Sequence, residues 1–384
     1  MSGSLLRLVC TAAVAAGIVL APRPAAAEPE SGERSVAELL TDLQRRYREA
    51  EQATETYNGT AAKLTRQRAA VRRLDAELAR TRATLRDSRG AAARLARQQY
   101  QNSGTGLSPY LRLLLARDPQ RALDQGHVIG RLARDRAATV GRLTGSERRA
   151  GELARRARAA LDAQLALAAR QRADRDVVRD RLRDVEEMIA SLDAEQLTAL
   201  SAAEERGTAK AQRRLVASGA LGDGDGKPSA GGDRALRFAV EQLGKPYEWG
   251  AQGPGSFDCS GLTSVAWQRA GTPIPRTSQE QWARLKRVPL DELRPGDLVV
   301  YFPEATHVAM YLGDGKVVQA PRPGAAVKVS PITANPVLGA VRPDPGTRPV
   351  AHYAPPRLPA GAADGSDAGY GAAYAPAAPE TSVR

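Results

Sequence analysis

The chain is short of the residues that staple, anchor or ligate. Only two of its 384 residues are cysteine and three are histidine, and aromatics make up 4% of the whole. Cys10 lies inside an apolar N-terminal run, which leaves Cys259 unpaired and excludes a disulfide framework. That run, Leu8 to Leu20, is too short for a comfortable bilayer span, and no later stretch is apolar for as long. With Arg7 before it and Ala25-Ala26-Ala27 after it, residues 1–27 read as a signal peptide, which predicts a secreted protein. Gly222-Asp223-Gly224-Asp225-Gly226 lacks the further ligands and the closing Glu of a calcium loop, and no metal or other cofactor is implied.

Positive charge, by contrast, is abundant, with a net formal charge of +13. Residues 28–220 hold 37 basic and 27 acidic side chains, whereas residues 233–345 hold 13 and 11. No nucleic-acid-binding module accompanies the excess, so anionic wall polymers or lipid head groups are the expected partners and nucleic acid is not.

From Ser35 to Gln101 there is no proline, and apolar or small residues recur at Val36, Leu40, Leu43, Tyr47, Ala50, Tyr57, Ala61, Leu64 and Val71. The alternating steps of three and four break only at Thr54 and Arg68, then shift phase through Leu74, Leu78 and Leu85. This pattern predicts a long coiled-coil helix, and a second is expected from about Leu143 to Val216. Residues 102–130 interrupt the pattern and predict a small helical cap at the far end of an antiparallel hairpin. Leu111, Leu113, Leu114 and Leu115 either pack within that cap or face a partner. The expected organisation is a hairpin over 28–217, a flexible linker over 218–232, a second domain over 233–345 and a disordered Pro/Ala/Gly-rich tail over 346–384.

The second domain carries the chemistry. Asp258 can cap a helix that starts at Cys259, with Leu262, Val265, Ala266 and Trp267 as its apolar stripe and Gly271 and Pro273 as its stop. A thiol at a helix N-terminus faces unpaired N–H groups and a positive dipole end, the setting of a nucleophile. Its base would be an imidazole. His127 belongs to the hairpin and His352 to the tail, so His307, at the start of a strand-like run to Leu312, is the candidate. A hairpin through Gly313-Asp314-Gly315 leads to a second run, Lys316 to Ala320. A three-residue loop there would put Gln319 opposite Ala309 and on the face of His307, as the residue that fixes the imidazole tautomer. Helices first and a strand meander after them predict an α+β domain with an antiparallel sheet.

Gly-Lys-Pro-Tyr at 244–247, Phe-Asp-Cys-Ser-Gly-Leu at 257–262, Pro-Arg-Thr-Ser at 275–278, Gln281, Pro-Gly-Asp-Leu at 295–298 and His-Val-Ala-Met-Tyr-Leu-Gly-Asp-Gly at 307–315 resemble the NlpC/p60 cell-wall peptidases. The resemblance implies a papain-like fold and hydrolysis of peptidoglycan stem peptides, commonly between D-glutamate and the following diamino acid, at the cell wall or cell surface. It implies Cys259 as nucleophile, His307 as base and Gln319 as third polar residue, where many members have His or Glu. It also implies Tyr247, Asp258 and Ser260 at the substrate, with Trp249 and Arg276 along the groove. The hairpin is similar in layout to hydrolases whose coiled coils dock on a division-linked, transporter-like membrane complex, and it is expected to restrain the enzyme by covering the groove or by tethering it. Two alternatives stand beside this reading: a wall amidase cutting another bond, and a coiled-coil scaffold that activates other hydrolases.

Overall fold

A computed structural model describes residues 34–102, 119–222 and 226–364. Helix α1 runs Val36–Asn102, as its proline-free, Ala- and Arg-rich sequence predicts. Helix α2 runs Pro119–Ala190. The second helix of the hairpin therefore starts well before Leu143, because Pro119 suits a first helical turn and nothing after it breaks the chain. Residues 119–130, expected in a separate cap, belong to this helix; the rest of the expected cap and the signal peptide lie outside the described residues. A break at Ser191 to Asp193 separates α2 from α3, Ala194–Ala217. Asp193 starts α3 with a reciprocal capping box to Gln196.

Near its N-terminus α1 packs against both α2 and α3, with Leu39, Leu43 and Tyr47 buried against Val185, Met188 and Leu200. Farther out the seam thins to Leu78, Leu153 and Ala157. The described residues from Val36 onward form one compact unit. Arg322 ties the hairpin to the C-terminal domain, its guanidinium 2.7 Å from Glu204 and stacked over the Tyr47 ring.

The domain opens with α4, Ala230–Glu241, followed by α5, Cys259–Arg269, and α6, Ser278–Arg284. Six strands follow: β1 Lys286–Val288, β2 Leu298–Tyr301, β3 His307–Gly313, β4 Lys316–Gln319, β5 Lys328–Pro331 and β6 Val337–Arg342. They make one antiparallel sheet in the order β1-β6-β2-β3-β4-β5. Helices α4 and α5 cover one face through Leu236, Leu262 and Trp267 against Leu298, Val308 and Met310. Leu215 of α3 and Leu221 help cover the other, against a cluster that includes Val299, Ala309, Tyr311 and Val317. Burial on both faces explains why β2 reads as an unbroken apolar run rather than an alternation.

Two stretches expected to be loose are packed. Ser229, inside the expected linker, caps α4, and Gly232 lies so close to the Pro295 carbonyl that an added Cβ would sit 2.9 Å from its oxygen. In the expected tail, Val350 donates to the carbonyl of Pro228 and Ala362 accepts from Val329, so the backbone as far as Ala362 is held against the domain. Both segments satisfy main-chain groups that would otherwise be left unpaired.

Candidate active site

Asp258 caps α5 by accepting from the N–H of Gly261, which places Cys259 at the first helical position, as its sequence predicts. Gly261 is demanded by the approach of another segment: a Cβ there would stand 2.1 Å from the carbonyl oxygen of Ala251. Gly261→Ala is expected to lower stability by about 3 kcal/mol through displacement of that loop, measured as a shift in urea midpoint.

Helix α5 packs on β3, and the N–H of Val308 reaches the Cys259 sulfur, so the thiol lies beside the strand end that carries His307. The β3–β4 turn differs from the expected three-residue loop. Gly313 pairs with Lys316 across a two-residue turn, Asp314-Gly315, with positive φ at both (50° and 65°). A bulge between Tyr311 and Gly313 then shifts the register, so that Met310 faces Val318. Continued by one residue, this sets Gln319 opposite Ala309 and on the face of His307. The His307 Nε2 to Gln319 Oε1 separation is 2.7 Å. Since an amide oxygen only accepts, Nε2 carries the proton of this contact, and Nδ1 is the nitrogen turned away from Gln319.

The expected groove residues are placed as follows. Arg276 forks onto both oxygens of Asp258, at 3.1 and 2.6 Å, and also donates to Ser260 Oγ. Asp258 further accepts from the Gly250 N–H and from Asn58. Its carboxylate is thus filled by protein donors, and its place is that of a cap and a clamp rather than a free substrate contact. Tyr247 is buried beside the cysteine, and Trp249 packs edge-on against Tyr57 of α1 with ring centroids 5.1 Å apart.

That last contact continues along α1 into residues that nothing local in the sequence marks as part of the site. One face of α1 lies across it, burying Glu51, Thr54, Glu55 and Asn58. The Glu55 carboxylate accepts from Ser260 Oγ at 2.6 Å and from the Ser278 N–H at 2.7 Å, and lies 3.9 Å from the Cys259 sulfur. One turn away, Glu51 stands 3.3 Å from His307 Nδ1, an ion-pair separation. The break in the apolar seam at Thr54 was the visible sign of this face. Ser278 lies within the Pro-Arg-Thr-Ser run of the sequence.

The thiol lies in a buried, negatively charged setting. Burial, with Glu55, Asp258 and Glu51 adding negative charge, pushes the Cys259 thiol well above its ordinary range, opposite to what a nucleophile needs. Burial and the neighbouring Asp258 push Glu55 up to about 7. Burial alone would lower His307; the Glu51 carboxylate and the bond to Gln319 outweigh it and raise the imidazole. Among the described residues no cluster of His, Cys, Asp or Glu could hold a metal ion.

A capped α5 bearing the cysteine, set against an antiparallel sheet whose third strand starts with the histidine, is a papain-like α+β fold. Residues 244–339 match the family model described as "NlpC/P60 family". The chain thus carries an NlpC/P60 domain over these residues. A probable endopeptidase of Mycobacterium tuberculosis is 40% identical over 116 residues, which are 29% of this chain and 30% of that protein. A probable endopeptidase of Corynebacterium glutamicum is 47% identical over 94 residues, covering 24% of this chain and 45% of its own length. The match therefore spans less than half of these curated relatives. Among solved structures, the NlpC/p60 domain of the peptidoglycan hydrolase SagA is 32% identical, covering 29% of this chain and 97% of its own, with a TM-score of 0.28. RipD of Mycobacterium tuberculosis, described as a non-catalytic NlpC/p60 domain protein adapted to peptidoglycan binding, is also 32% identical, covering 29% and 96%, with a TM-score of 0.27.

Proposed function

We propose that the C-terminal domain is a secreted cysteine peptidase that cuts peptidoglycan stem peptides between D-glutamate and the following diamino acid, and that α1 holds it closed. The observations that support the catalytic reading are Cys259 at the N-terminus of α5, its sulfur reached by the N–H of Val308 beside His307, and the contact of His307 Nε2 with Gln319. In the open state Nδ1 of His307 takes the thiol proton, and the sulfur attacks the scissile carbonyl carbon. The imidazolium then protonates the departing amine as the carbon–nitrogen bond breaks. Water, deprotonated by the same nitrogen, releases the acyl group and regenerates the thiol. The Cys259 N–H at the helix end faces the developing oxyanion. Ser260 Oγ and the Ser278 N–H, which here hold the Glu55 carboxylate, support recognition of a substrate that bears a carboxylate near the cut.

Closure follows from the same contacts. Activation requires that α1 be drawn off, and the similar layout of membrane-docked hydrolases supports a membrane complex in that role.

The deciding experiment is digestion of purified peptidoglycan by the chain carrying Glu51→Lys and Glu55→Lys, with mass analysis of the fragments and the same chain with Cys259→Ala as control. Stems ending in D-glutamate, made only with Cys259 intact, are expected. Cuts at another bond would establish the amidase reading instead. No product, from protein whose Cys259 has become open to alkylation, would leave the scaffold reading.

A further inference from the structure

The hairpin is not uniformly basic. Residues 36–60 of α1 hold three Lys and Arg against five Asp and Glu, and residues 161–217 hold ten against eleven. Beyond them the balance changes: residues 61–102 of α1 carry eleven basic side chains against three acidic, and residues 119–160 of α2 carry ten against four. The protein's excess positive charge therefore resides on the outer arm, past Asn58 and Gly59, where α1 leaves the catalytic domain.

These arginines are not consumed in packing. Arg66, Arg72, Arg80, Arg82, Arg86 and Arg94 are all exposed along α1, and Arg131, Arg142, Arg148 and Arg155 along α2. Among the described residues the arm offers them little local compensation; Arg89 to Glu147 is a cross-hairpin pair, at 3.1 Å and well exposed. At the outer end of the arm large apolar side chains join them. Tyr100 is 84% exposed, Leu123 66%, Val128 65% and Leu132 42%. Leu64 and Val71 nearer the domain are buried, and although Leu161, Leu165 and Val177 of α2 are also exposed, the outer end is where exposed apolar groups from both helices meet the basic arm.

We propose that the outer arm of the hairpin is a docking surface for an anionic phospholipid membrane. The arginines meet the lipid phosphates, and Tyr100, Leu123 and Val128 enter the headgroup layer beside them. Charge alone would equally suit a soluble wall polyanion, which has no apolar layer to offer. The exposed apolar side chains at the same end are what select the bilayer, since a basic surface with an apolar edge binds by both forces together. Docking there would leave the catalytic domain free, because Tyr100 lies 45 residues along α1 from Glu55, roughly 68 Å at the rise of an α-helix.

The test is co-sedimentation of residues 28–384, which lack the apolar N-terminal run, with vesicles of phosphatidylcholine alone or with about one third phosphatidylglycerol. Binding is expected to the anionic vesicles only, to fall at least about tenfold between roughly 0.05 and 0.3 M salt, and to be lost when Arg80, Arg82, Arg86 and Arg94 are all changed to Glu. Leu123→Ser with Val128→Ser is expected to weaken vesicle binding several-fold while leaving retention on immobilised poly-glutamate unchanged. Circular dichroism should show every variant as helical as the parent; if reversal at the arginines unfolds the hairpin, Arg→Gln at the same positions replaces it. Equal binding to neutral vesicles, no binding to either, an unchanged affinity after charge removal, or retention on the polyanion with none on vesicles would each overturn the proposal.

Discussion

Peptidoglycan hydrolysis by the full chain should rise by about 100-fold or more when Glu51 and Glu55 are both replaced by lysine. In the closed structure Glu55 accepts from Ser260 and the Ser278 N–H in the field of Arg276, and Glu51 faces His307. A lysine at position 55 would instead face the Arg276 guanidinium in a fully desolvated site, and one at 51 would face the imidazole. Juxtaposing like charges in such a place costs several kcal/mol, and every 1.4 kcal/mol shifts the open fraction about tenfold. Departure of the helix also removes two of the three carboxylates that oppose a thiolate at Cys259. Glu51→Gln should release activity less, since it removes the attraction to His307 without adding repulsion. Glu49→Lys, on the same helix but paired outward with Arg45 and Arg181, should change nothing. An unchanged rate in the double lysine variant, with its fold intact, would exclude occlusion by α1 as the restraint.

Alkalinity should open the same lock. The carboxyl of Glu55 is raised to about 7 in the closed form by burial and by Asp258, and on leaving the site it returns toward the ordinary carboxylate range. His307 and Cys259 are also raised when closed. All three shifts have one sign: the closed form binds more protons than the open one. The contribution of Glu55 to closure is therefore complete below the ordinary Glu range and is lost as pH rises through about 7. Because Cys10 is the sole other cysteine and falls in the first 27 residues, alkylation of Cys259 in residues 28–384 reports opening directly. After correction for the intrinsic thiolate fraction, measured in the double lysine variant, its rate should gain roughly an order of magnitude between about pH 5 and pH 8. Glu55→Gln should flatten that rise. A corrected rate that falls or stays level with pH would show that proton uptake does not favour closure.

What could be read from the chain beforehand was local. Asp258, Cys259, Gly261 and the apolar stripe to Trp267 state a capped helix by themselves, because each acts on neighbours within a turn or two. The pairing of Gln319 with His307 was legible for a similar reason, although the chain reaches that register by a two-residue turn and a bulge rather than a longer loop. Strands β1, β5 and β6 were not foreseen: they are short, and Lys286, Lys328 and Gly339 interrupt any alternation. The cover over the site was the least visible. Glu51, Glu55 and Asn58 would be ordinary solvent-facing residues on an isolated hairpin, and only a second domain some 200 residues later makes them interior. A gap in the seam at Thr54 marks that something other than α2 lies there, yet nothing local identifies what.

The contact between α1 and the site also bears on how this sequence can drift. Most of a coiled coil tolerates exchange among residues of like size and polarity, so the arm is free to diverge fast. Positions 51, 55 and 58 answer to His307, to Ser260 and the Ser278 N–H, and to Asp258, all within the proposed site. An ancestor that altered one side without the other would have made an enzyme either always active or unable to open. Among descendants these few helical positions should therefore change slowly, or in step with the pocket they fill, inside an arm that otherwise varies.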